Sequence, residues 1–165
     1  MAKEFEIDVS GSDLLSKDYT ICIANKDSFI HGFKLSEELI NILSSKYGQG
    51  LYRYNKSKKG KSDFKVRLYC AVIYYIFRSS KISGEISLKV CRDFPGKEGD
   101  IKENLKMFLE RGLGLILQDR LYFGKLTTNS NAHRYAYLMR QDTKNQMPNY
   151  IKISLEELEK WLIKK

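Results

Sequence analysis

The sequence predicts a mixed α/β fold, a five-stranded mixed sheet with its elements in the order β-β-β-α-(α)-β-α-β-α and a C-terminal helical tail. Three observations point there. Residues 4–9 alternate strictly, with Phe5, Ile7 and Val9 on one face and Glu4, Glu6 and Asp8 on the other, the period of two of a half-buried strand. Two more β-rich runs follow, and helical periods then take over before another alternating run at 85–92. A strand that rejoins a sheet after helices returns by a crossover and lies parallel to its neighbour.

The first strand ends at Ser10-Gly11-Ser12, where glycine lets the backbone turn sharply. Tyr19–Ala24 and Phe29–Leu35 are the next two strands; Asn25-Lys-Asp-Ser28 between them carries turn chemistry and makes them a hairpin. His31 shares a face with Phe29 and Phe33 and reads as a core histidine. Ser36 stands where a helix N-cap belongs, with Glu37 and Glu38 in the first turn. Leu39, Ile40, Leu43 and Tyr47 then mark an apolar stripe, and Gly48 ends it.

Residues 51–62 have no period and are strongly basic, which predicts an exposed loop. From Phe64 to Arg78 the chain is apolar on nearly every face, too long for a strand, and predicts a buried helix capped by Ser62 or Asp63. Ser83-Gly84 breaks it. Ile86, Leu88 and Val90 then alternate in the fourth strand, which ends in the turn Asp93-Phe-Pro-Gly96. Asp100 with Glu103 fits a capping box for a helix that carries Ile101, Leu105, Phe108 and Leu109 and stops at Gly112. Residues 113–126 are β-like, interrupted at 118–120. A helix over 132–141 displays His133 and Arg134. After a linker with Pro148, Ser154 and Glu157 cap a last amphipathic helix bearing Leu155, Leu158, Trp161 and Leu162, a packing or homodimer element. The expected division is one α/β domain over 1–143 and a linker with its helix over 144–165.

The 165 residues, 42% hydrophobic and 30% charged, describe an ordinary globular chain and exclude a disordered one. A net charge of +9 and a pI near 9.4 favour a polyanionic partner, above all nucleic acid. No membrane partner is expected: the longest apolar run, 68–77, is half of the roughly 20 residues a span needs. No signal-peptide pattern opens the chain. Cys22, Cys70 and Cys91 have no metal-site or disulfide spacing and read as reduced core residues, so the expected localisation is cytoplasmic.

Two acids carry the candidate chemistry. Asp8 stands near the end of the first strand and Asp93 just past the fourth. Neighbouring strands lie about 4.8 Å apart, so if these two pair, their carboxylates share one divalent cation. With its element order, its Ile7-Asp8-x-Ser10-Gly11 opening and Asp93 after the fourth strand, the chain resembles the ribonuclease H-like superfamily of nucleases, resolvases and transposases over residues 4–141. That superfamily holds Mg²⁺ or Mn²⁺ with acids on the first strand, the first helix and the end of the fourth strand, and often an acid or histidine on the last helix. The resemblance implies these roles for Asp8, Glu38, Asp93 and His133, with Asp8 and Asp93 as the metal ligands, and phosphodiester hydrolysis as the activity.

In the basic loop, Tyr52 and Tyr54 alternate with Arg53, Lys56, Lys58, Lys59 and Lys61; cations neutralise phosphates and rings stack on bases. Arg134 adds a further cation beside His133. The residues leave plainer alternatives open. Asp8 also fits a solvated strand face, Asp93 a turn, Glu38 a helix dipole, and the basic stretch a solvated loop. A non-catalytic nucleic-acid binder and an interaction scaffold stand beside the nuclease.

Overall fold

The computed structural model describes residues 2–164. Its five strands stand in the order β3-β2-β1-β4-β5, with β1 Lys3–Ser10, β2 Tyr19–Ala24, β3 Ile30–Leu35, β4 Ile86–Val90 and β5 Leu121–Phe123. The first three form an antiparallel meander. The fourth lies parallel to the first, with Ile7 opposite Val90, as a crossover return requires. β5 runs parallel to β4. The expected mixed five-stranded sheet is thus present, with five α-helices around it.

One sheet face builds the main core. Phe5, Ile7, Ile21, Ile23, Leu35 and Leu88 meet helices α1 (Glu37–Gly48), α2 (Lys58–Ser80) and α3 (Glu98–Leu105) there. Over Leu68–Phe77 α2 is apolar all round, and all ten of these residues are buried. On the other face lies α4 (Asn131–Gln141), whose Ala132, Ala136 and Met139 pack over Cys22 and Ala24. Small residues let that helix approach β1 and β2 closely, and this close approach places His133 over the end of β1.

Several local expectations are corrected. α2 begins at Lys58, six residues before Phe64, because Ser57 accepts a hydrogen bond from the Gly60 N–H and caps the helix; Ser62 and Asp63 lie inside it. Gly60 is needed there, since a Cβ would stand 2.1 Å from Asn55 Oδ1. Lys58, Lys59 and Lys61 are therefore helical rather than in a loop. α3 starts at Glu98 without a side-chain cap, so the Asp100/Glu103 capping box is absent, and the helix widens into a π-helical segment over Lys106–Arg111. The β-like run over 113–126 breaks at the expected 118–120, where Gln118 adopts a left-handed φ of 51°, but its regular strand is only Leu121–Phe123 with a single bridge at Ile116. His31 is half-buried, its ring edge-on to Phe29 at 4.6 Å.

The last helix, α5 (Leu155–Glu159), has the expected capping box from Ser154 and Glu157. Its apolar side turns inward. Leu158 and Leu162 are fully buried, and the Trp161 ring meets Phe108 at 4.7 Å while its N–H donates to the Tyr75 hydroxyl. The residues that suggested a homodimer face pack on the core of the same chain. No helix among the described residues is long and apolar enough to cross a membrane.

Candidate metal and phosphate site

The β1–β4 register brings Asp8 beside Cys91, with Asp93 two residues further on. Asp8, Asp93, His133 and Lys125 line one open cavity of about 350 Å³ at the ends of these strands. Asp8 is only 8% exposed although its neighbours in phase, Glu4 and Glu6, face outward. α4 makes the difference, since it packs on β1 and sets His133 against Asp8.

His133 Nδ1 lies 2.9 Å from Asp8 Oδ2, a hydrogen bond in which the ring N–H donates; Asp8 Oδ1 accepts the Val9 N–H at 2.8 Å. Ser130 caps α4 by accepting the His133 backbone N–H, which fixes the start of the helix and with it the histidine. Asp93 is held differently. The hydroxyl of Tyr19, a fully buried residue, donates to Asp93 Oδ2. Burial raises the Asp93 carboxyl above its ordinary range and the Asp8 charge adds to this, against the lowering effect of the Tyr19 bond. Burial and Asp93 in turn push the Tyr19 phenol far up, so it remains a donor.

The sequence alone does not mark Tyr19 as a site residue, because it opens an apolar strand. The available signal was chemical: a tyrosine on a fully buried face needs a partner for its hydroxyl. Gly11 belongs to the same device. Its φ is +138° and a Cβ there would stand 2.7 Å from Tyr19 Cδ2, so the turn after β1 has to be glycine for the ring to seat. Nearby, the Tyr69 hydroxyl is buried without a hydrogen-bond partner, within the field of Tyr19, Cys91 and Asp93. The Cys91 thiol is pushed up by burial and by the two carboxylates, so it stays protonated and is no nucleophile.

The other predicted residues lie elsewhere. Glu38 is exposed in the first turn of α1 and does not line this cavity. Tyr52 is buried, its hydroxyl donating to Glu159 at 2.9 Å, and Tyr54 leans on Phe64 at 6.1 Å. The Tyr52 ring is not free to stack on a base, because the C-terminal tail covers it, whereas Tyr54 keeps part of its surface exposed. Arg53 and Lys56 are exposed, and Arg134 is exposed beside His133. Lys59 pairs with Asp63 at 2.9 Å, whereas Lys58 and Lys61 line a second cavity that also includes Asp93.

A divalent cation fits the donors present. Asp8 and Asp93 offer hard oxygens, and the electrostatic strain between them is what a cation relieves. Among the described residues no three His, Cys, Asp or Glu side chains are grouped to hold a metal. Mg²⁺ is suited to such a sparse set, since it keeps several waters and binds through one or two carboxylates plus substrate phosphate. Compared with known proteins, the chain matches no family model, no curated protein and no solved structure.

Proposed function

We propose that this chain is a divalent-metal-dependent nuclease of ribonuclease H-like fold that hydrolyses phosphodiester bonds. The observation that carries the reading is the meeting of Asp8 and Asp93, from the ends of neighbouring parallel strands, in one open cavity with His133. An acid on the first strand, an acid after the fourth and a histidine on the last helix are the pattern the resemblance implies; Glu38, the first-helix acid, takes no part. The net charge of +9 suits a phosphate-bearing substrate.

Asp8 and Asp93 would hold Mg²⁺ or Mn²⁺, which when bound polarises a phosphate and makes a water a better nucleophile. The chain's own groups have separate tasks. Tyr19 keeps Asp93 in one orientation, and His133 does the same for Asp8. With Nδ1–H donated to Asp8, Nε2 is the ring nitrogen left for proton transfer. Lys125, in the same cavity, offsets the charge of an entering phosphate. The rigid strand ends supply the preorganisation such a site needs.

The test is cleavage of labelled single-stranded DNA, duplex DNA, RNA and RNA/DNA hybrid in Mn²⁺, by wild type and by Asp8→Asn/Asp93→Asn. Cleavage of at least one substrate that is lost in the double variant is the expected result. No cleavage by wild type, or equal cleavage by both, rejects the reading. Binding without cleavage would return the chain to the non-catalytic alternative.

A further inference from the structure

Asp93 lines two cavities at once. Beside the one it shares with Asp8 lies another of about 300 Å³, whose wall includes Lys58, Lys61, Lys65 and Lys97. Four cations there face two acids, Asp13 and Asp93. The lysines come from two separate elements: three from the first two turns of α2 and one from the turn before α3.

Two of the four are held in place. Lys65 Nζ sits 2.7 Å from Asp13 Oδ1, and Lys97 Nζ lies 3.7 Å from both Asp63 and Asp100. Burial works to raise Asp13, but Lys65 and the Leu15 N–H outweigh it and keep that carboxyl below its usual range, so it remains a charged tether. Among the described residues Lys58 and Lys61 are in no ion pair, and both are exposed. Ser12 and Ser62 add hydroxyls to the same wall. Two tethered cations, two unpaired ones and two hydroxyls on one wall form a setting for a phosphate. The volume lies at the lower end of the range for small-ligand sites.

We propose that this lysine-lined cavity seats a backbone phosphate of the nucleic-acid strand adjoining the phosphate at Asp8 and Asp93. The proposal rests on the nuclease reading for its second phosphate and names the path of the strand: from the Asp8–Asp93 cavity, past Asp93, along the start of α2. The contiguity of the two cavities at one carboxylate sets that direction. It also assigns different roles within the basic stretch, with Lys58 and Lys61 as phosphate contacts and Tyr52 as a structural ring.

The experiment measures binding and cleavage separately, with a short fluorescein-labelled single-stranded DNA and an RNA/DNA hybrid as probes. Fluorescence anisotropy without divalent metal is recorded across salt concentrations for wild type, Lys58→Ala/Lys61→Ala and a control, Lys144→Ala/Lys152→Ala, which removes equal charge from exposed residues outside this cavity. The cavity variant is expected to bind at least one probe about tenfold more weakly and to lose about 0.7–0.9 of salt slope per lysine, while the control stays near wild type. Unchanged affinity and slope in the cavity variant overturn the proposal, as do equal losses in the control or a wild type that binds neither probe. If that variant binds normally while cleavage still depends on Asp8 and Asp93, the cavity is wrong and the nuclease stands. If it loses binding while wild type cleaves nothing, the phosphate seat stands and the nuclease falls.

Discussion

Tyr19 donates its hydroxyl to Asp93, joining the start of β2 to the end of β4 across the intervening β1. Asp93 is pushed up by burial and by Asp8, so its ionised form costs folding free energy. For an acid raised in the folded state, the stabilisation is complete below its unfolded value, near 3.9, and is lost as pH rises through the folded value. Above that point the carboxylate depends on its donor.

Tyr19→Phe should therefore destabilise the protein more at pH 7 than at pH 4. Losing a hydrogen bond to a charged group costs about 1.5–3 kcal/mol, and one to a neutral acid about 0.5–1.5. Urea unfolding of wild type and variant at the two pH values measures this. The same loss at both would mean the bond does not serve the ionised acid.

Mn²⁺ should raise the melting temperature of wild type by a few degrees and hardly move that of Asp8→Asn/Asp93→Asn. A ligand that binds only the folded state contributes about 2.7 kcal/mol at a hundredfold excess over its Kd. In metal-free buffer at neutral pH the double variant should melt at least as high as wild type, since it lacks the repulsion between the acids. Equal Mn²⁺ shifts in the two proteins would remove the paired-acid site.

Gly11→Ala tests whether the turn after β1 exists to seat Tyr19. The new methyl meets Tyr19 Cδ2 at 2.7 Å in a backbone of φ +138°, so the ring or the turn has to move. A loss of about 1–3 kcal/mol is expected from the overpacking, with a further loss from the strained φ. The Mn²⁺-induced shift in melting temperature should shrink with it, because Asp93 loses its anchor. A variant as stable as wild type with a full Mn²⁺ shift would show that the seat is not needed.

The start of α2 is checked by two alanine substitutions. Ser57→Ala removes the cap on the Gly60 N–H and should cost about 0.5–2 kcal/mol. Ser62→Ala, inside the helix, should be close to neutral or slightly stabilising, as alanine is the better helix former. Chemical denaturation of both separates the cases; a larger loss in Ser62→Ala would place the cap where the sequence alone suggested it.

Local periodicity was enough to place the first four strands and the two acids. The alternation of Phe5, Ile7 and Val9 against Glu4, Glu6 and Asp8 set the faces of β1. The helices before residue 85 required a crossover, and that put β4 parallel to β1 with Asp93 near Asp8. These are short-range properties of a chain, and a chain carries them in its own order. What covers a face is not among them. The face of Asp8, Glu4 and Glu6 looks uniformly polar, yet α4, some 125 residues later, buries Asp8 and gives it His133 while Glu4 stays exposed. The same holds for Tyr52, which reads as an exposed ring in a basic loop until Glu159 and Ile163 close over it. Ser57, Ser62 and Asp63 are all fit to cap α2, and the fold of Asn55 against Gly60 chooses among them. Tyr19 and Asp93 meet only because two strand ends converge in space, so sequence determined which acids could act and tertiary packing decided which partners hold them.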